Sequence, residues 1–92
     1  MTETPEVMRR RLAMRSMRRG IKEMDLILSA FARTELPALE PGALALYDAL
    51  LEESDLEIYR WVSGQVAPPE RFAPLVSRIA QVAVGLTQPR GA

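Results

Sequence analysis

Apolar residues in this chain recur at intervals of three and four, and nowhere alternate with polar ones over a strand's length. That period restricts the chain to helices. Met24, Ile27, Leu28 and Phe31 mark one face of a helix over residues 21–34. Leu44, Tyr47, Leu50 and Leu51 mark a second over 43–52. Phe72, Leu75, Val76, Ile79, Val82, Ala83 and Leu86 mark a third over 69–86. The connections carry residues that break helices: Pro37, Pro41 and Gly42 in one, Pro68 and Pro69 in the other.

Two further helices are announced by their ends. Thr4-Pro5-Glu6 supplies a hydroxyl cap, a proline for the first helical position and an acid for the first turn, so a helix is expected over 5–19. Met8, Leu12 and Met17 give it a thin apolar stripe. Ser54-Asp55-Leu56-Glu57 fits a capping box, in which the serine meets the amide three residues on and the glutamate reaches back. The helix it opens carries Ile58, Tyr59, Trp61 and Val62 and stops at Gly64. Tyr59 and Trp61 are expected as core anchors, and Tyr47 as a core residue with its hydroxyl at the edge. The expected fold is all-α, a small five-helix bundle in a single domain over 1–92, with its core over 5–86 and a frayed tail over 87–92.

Composition narrows the chemistry. Of 92 residues 48% are apolar and 26% charged, which are globular proportions. Cysteine and histidine are both absent, which removes disulfides, thiolate and imidazole metal ligands and the Ser-His and Cys-His catalytic pairs. No calcium-loop spacing and no glycine-rich phosphate loop occur, so neither a metal nor a bound nucleotide cofactor is expected. The carboxylate pairs Glu52 with Glu53 and Asp55 with Glu57 stand beside no nucleophile. The chain does not read as an enzyme. No apolar run approaches the roughly 20 residues that span a bilayer, and no leader pattern opens the chain. A bacterial-type cytoplasm is the expected compartment.

Charge is balanced overall but segregated along the chain. Seven of the 12 cations fall within residues 9–22, whereas the run from Glu35 to Glu57 holds acids and no cation. Such polarity speaks to partners rather than to fold. Arg9, Arg10, Arg11, Arg15 and Arg18 form either a solvated cationic face or a binding surface, and a helical nucleic-acid-binding or regulatory module is the alternative function they suggest. The acidic half and the lack of exposed aromatics beside the arginines argue against a nucleic-acid partner. The arginine run ends in Arg18-Arg19-Gly20-Ile21-Lys22-Glu23-Met24-Asp25, which reads as a joint between helices. Gly20 is expected to take the left-handed backbone region and stop the first helix, with Glu23 and Asp25 in the first turn of the next.

At Arg19-Gly20-Ile21-Lys22-Glu23 the chain resembles the Arg-Gly-x-x-Glu signature of the succinate dehydrogenase assembly factors, the small flavinylation factors. Asp55-Leu56-Glu57-Ile58-Tyr59-Arg60-Trp61 resembles that family's Asp-x-Asp-Leu-x-x-Trp segment, with Glu57 and Ile58 as departures. The resemblance implies a five-helix bundle. It also implies a chaperone that binds the flavoprotein subunit of succinate dehydrogenase or fumarate reductase and promotes its covalent FAD attachment. The client performs the bond formation on its own histidine, and no cofactor is held stably by the factor. On this resemblance the partner-binding residues are Arg15, Arg18, Arg19, Gly20, Lys22, Glu23 and Asp25. Gly20 permits close approach, Arg19 binds client acceptors, and Glu23 pairs with a client cation or fixes Arg19. The compartment is the mitochondrial matrix if the source is eukaryotic.

Overall fold

The computed structural model describes residues 3–87, with side chains as far as Val84. Over that span the chain forms five α-helices and no strand: α1 Pro5–Arg15, α2 Lys22–Thr34, α3 Pro41–Leu50, α4 Asp55–Val62 and α5 Ala73–Thr87. Single turns of 3-10 helix, Leu36–Ala38 and Glu70–Phe72, lead into α3 and α5. Beyond Thr87 the expected tail lies outside the described residues, as does the side chain of Leu86.

The ends form largely for the reasons expected. Thr4 Oγ1 accepts the Val7 amide at 3.2 Å, and Pro5 occupies the first turn, where a missing N–H costs nothing. Ser54 Oγ accepts the Glu57 amide at 3.2 Å. The other half of the expected box is not made, because Glu57 turns instead to Arg60 at 3.3 Å. After α4, Gly64 takes φ +83°, its amide bonds Trp61 O and the Gln65 amide bonds Arg60 O, the two bonds of a Schellman turn.

The end of α1 departs from expectation. The helix stops at Arg15 rather than at residue 19, and the residue in the left-handed region is Arg18, at φ 56°, not Gly20. The cause lies at Ser16. Its hydroxyl donates to Leu12 O at 2.8 Å, competing with the next turn of helix, and it also meets the Tyr47 hydroxyl. Ser16 has one proton, which the Leu12 carbonyl takes, so the Tyr47 hydroxyl donates to Ser16 Oγ. Met17 consequently falls outside the helix and half-exposed, not on a buried stripe. Tyr47 is fully buried, hydroxyl included, rather than reaching the edge.

One core joins all five helices. Leu12 from α1, Met24, Ile27, Leu28 and Phe31 from α2, and Leu44, Tyr47 and Leu50 from α3 are sealed from solvent. Ile58, Phe72 and Ile79 close it from the α4 and α5 side. Phe31 packs on Tyr47 with ring centroids 5.3 Å apart, and Trp61 on Phe72 at 5.9 Å. Trp61 is a core anchor as expected, while Tyr59 is only partly buried against the same cluster.

Burial pushes the Tyr47 hydroxyl from its usual 10.0 up to about 12, although the Arg19 charge pulls the other way. A raised folded-state value means that the stabilisation is complete below the unfolded value and disappears as pH climbs from 10.0 toward about 12. The loss should amount to about 3 kcal/mol. Urea unfolding across that alkaline window should show the decline in the natural chain and a much flatter profile in Tyr47→Phe; equal slopes would contradict the burial argument.

Candidate functional site

The joint between α1 and α2 is folded around two carboxylates. Asp25, in the first turn of α2, accepts the Arg18 amide and, at 3.4 Å, the Arg19 amide. These bonds offset the cost of a left-handed arginine, about 1–2 kcal/mol. Asp55, the first residue of α4, accepts the Gly20 amide on Oδ2 at 2.6 Å and the Arg19 Nε on Oδ1 at 2.7 Å. Its charge also sits at the positive end of its own helix. A Cβ on residue 20 would stand 3.1 Å from Asp55 Oδ2, so the glycine answers a close approach from within the chain rather than a need for positive φ.

Arg19 is the hub of this arrangement. Beyond Asp55 it donates to Arg15 O at 2.8 Å and to Leu51 O at 3.3 Å, the latter at the C-terminus of α3. The Arg19 and Asp55 side chains are only 12% and 17% exposed, the most enclosed ion pair among the described residues. Charge-assisted bonds in such a setting are stronger than exposed ones. The same pattern continues up α1. Arg15 reaches Asp48 at 2.7 Å, Glu52 at 2.6 Å and Leu51 O, and Arg11 grips both Asp48 oxygens at 3.0 Å and also Glu3. Arg9 donates to Leu39 O at 2.8 Å. The partners ascend together along both segments, so α1 and α3 run side by side in the same direction. Hydrogen bonding to Arg11, joined by the nearby Arg15 charge, holds the Asp48 carboxyl below the usual carboxylate range. Its contribution is therefore present above the unfolded value and fades as pH falls.

These bonds place the residues expected at the site in two groups. Arg15, Arg19 and Asp25 are committed to partners inside the chain, and Gly20 donates its amide to one. The side chains of Arg18, Lys22 and Glu23 are exposed and make no ion pair or hydrogen bond among the described residues. Glu23 does not fix Arg19; Asp55 does. Asp48 and Asp55 were not among the expected site residues. The signal for them lay in two matching spacings, Arg11, Arg15 and Arg19 on one side and Asp48, Glu52 and Asp55 on the other, each repeating at helical intervals.

Comparison with known proteins decides the kinship. A family model described as flavinator of succinate dehydrogenase matches residues 10–83, from the middle of α1 through α5. The chain belongs to the flavinator of succinate dehydrogenase family. It is 43% identical over 70 residues to the mitochondrial succinate dehydrogenase assembly factor 2 of Schizosaccharomyces japonicus, a match covering 76% of this chain and 49% of that protein. With the protein of the same name from Komagataella phaffii the identity is 44% over 73 residues, covering 76% and 38%. With that from Yarrowia lipolytica it is 37% over 86 residues, covering 88% and 59%. The chain thus spans about half the length of these relatives. The flavinator family is one of assembly factors rather than enzymes. No helix among the described residues is long and apolar enough to cross a membrane.

The two groups of residues should separate in a stability measurement. Asp55→Ala strands a largely enclosed guanidinium and a backbone amide and should cost about 2–3 kcal/mol in urea unfolding. Arg18→Ala, Lys22→Ala and Glu23→Ala should each stay within about 0.5 kcal/mol of the natural chain. An Asp55→Ala variant as stable as those three would contradict the bridging role.

Proposed function

We propose that this chain binds the flavoprotein subunit of succinate dehydrogenase and promotes the covalent attachment of FAD to it, with the joint between α1 and α2 as the contact. The observation that carries the reading is the family match over residues 10–83, which takes in both the joint and the Asp55 that holds it. FAD enters as the client's group. The proposed compartment is wherever that client folds, the bacterial cytoplasm or the mitochondrial matrix.

The work asked of such a factor is positional. The client's histidine and the flavin react at a useful rate only when held in register, and a fixed pair gains the entropy that a mobile pair lacks. A partner that binds the aligned client more tightly than the misaligned one raises the aligned population by that difference in affinity, without touching the flavin. A rigid contact surface suits this role, since a mobile one would lose affinity to its own ordering. Asp25 and Asp55 supply the rigidity by holding three successive amides. Arg18, Lys22 and Glu23 then offer charged groups that no partner among the described residues claims, and Gly20, exposed and lacking a side chain, lets the client approach the backbone.

The nucleic-acid reading loses support on the same geometry. Of the five arginines it would use, Arg9, Arg11 and Arg15 are spent on acceptors within the chain. The test is co-expression with the flavoprotein subunit of succinate dehydrogenase, reading covalent flavin by in-gel fluorescence, with the fumarate reductase subunit as a second client. Omitting the chain should lower the flavin signal severalfold, and Glu23→Ala should lower it while leaving the thermal transition of the chain in place. Covalent flavin unchanged on omission would contradict the proposal.

A further inference from the structure

A shallow groove runs the length of the α1–α2 pair, on the side of α1 turned away from α3. Helical spacing builds both walls: Arg10, Ala13, Met14 and Met17 come from α1 and the turn after it, and Asp25, Ser29, Ala32 and Arg33 from α2. Three adjoining depressions share Ala13, Met17, Ser29 and Ala32, so the floor is continuous from Arg18 at the joint to Leu36 and Pro37 at the far end. The small residues let the helices lie close and leave the methionines standing: Met14 is 71% exposed and Met17 50%.

The charges on this groove differ from those on the rest of α1. Among the described residues, Arg10, Arg18, Lys22, Arg33 and Arg71 have side chains with no hydrogen-bond or ion-pair acceptor within the chain, and three of the five line the groove; Arg71 lies over the Phe72 ring instead. The acid on it, Asp25, is spent on the Arg18 and Arg19 amides. Arg9 borders the far end, and its Nε is buried without a hydrogen-bond partner. The groove therefore has an apolar, methionine-walled floor and a cationic rim that no acid among the described residues neutralises.

We infer that this groove docks an acidic, amphipathic segment of the client protein, with apolar side chains laid between the methionines and carboxylates meeting Arg10, Arg18 and Arg33. The inference rests on the proposed function for the client's identity and extends the contact from the joint to the whole α1–α2 face. Methionine suits such a floor because its unbranched, polarisable chain adapts to what it covers. A nucleic acid would satisfy the rim but leave the exposed methionines without apolar partners, and the groove offers no aromatic ring for a base to stack on. The charge complementarity favours a peptide of alternating carboxylate and apolar character.

The experiment uses the full chain and the purified flavoprotein subunit of succinate dehydrogenase, with affinity measured by calorimetry at low and high salt and folding checked by thermal melts. Two groove variants are compared, Arg10→Glu with Arg33→Glu and Met14→Ser with Met17→Ser; Arg10, Met14 and Arg33 lie on the helices, and Met17, in the turn between them, lends no side chain to the bonds with Asp25 and Asp55 that hold the joint. Each should weaken the complex by on the order of tenfold or more. The charge variant should also flatten the salt dependence, which the methionine variant should preserve. If the natural chain binds the subunit and both variants bind as tightly, the groove inference is overturned while the proposed function stands. If the natural chain does not bind the subunit at all, both fall. Sedimentation of a dimer that Met14→Ser with Met17→Ser dissolves would assign the groove to a second copy, and tight binding of a DNA duplex lost in Arg10→Glu with Arg33→Glu would assign it to nucleic acid. Either outcome would overturn the inference.

Discussion

The Asp55 carboxylate is the contact on which the architecture of the joint depends. One oxygen holds the Gly20 amide and the other the Arg19 guanidinium, and through Arg19 the end of α1 is tied to the last carbonyl of α3. Two stretches distant in sequence, residues 15–20 and 51–55, thus meet at one side chain. The arrangement is self-supporting because each charge answers more than one need: the carboxylate also faces the amide end of α4, and the guanidinium the carbonyl end of α3. A side chain on residue 20 would press on that carboxylate, so the backbone there is bare for a reason internal to the fold, and the same bareness leaves it open to a partner.

Helix geometry sorts the arginines of α1 into two populations. Arg11 and Arg15, one turn apart, turn toward α3 and find Asp48 and Glu52; Arg19 continues the row past the helix end. Arg10, about 100° round the helix from Arg11, faces the groove with α2 and has no acceptor among the described residues. A chain whose cations and acids are segregated in sequence therefore neutralises much of that polarity in three dimensions, and of the five cations left without an acceptor among the described residues four lie on α1, α2 or the turn between them. In a domain this small, where the core alone stabilises only modestly, such enclosed ion pairs also fix which helices lie together.

The helices themselves were legible because their apolar period is local and strong. Phe31, Tyr47, Ile58 and Phe72 are buried as their spacing requires. The end of α1 was not legible, since it depends on Ser16 meeting Tyr47, 31 residues away, and on Asp25 accepting amides from a left-handed arginine. For the same reason the positive φ expected of Gly20 is not found: what meets the bare backbone there is Asp55, 35 residues away. Glu57 satisfies the sequence pattern of a capping box yet prefers Arg60, a choice between two nearby partners that sequence does not rank. At the candidate site the motif residues were legible, but which of them are struts and which are free was not. That distinction rests on Asp48 and Asp55, whose role appears only once α3 and α4 are brought beside α1.

Hydrogen exchange at the Gly20 amide tests the account most directly. Gly20 is exposed, so without its bond to Asp55 its amide should exchange at the rate of an unstructured peptide. The account predicts slow exchange in the natural chain, lost in Asp55→Ala while the α5 amides keep their protection. An unprotected Gly20 amide in the natural chain, or one whose protection survives Asp55→Ala, would contradict it.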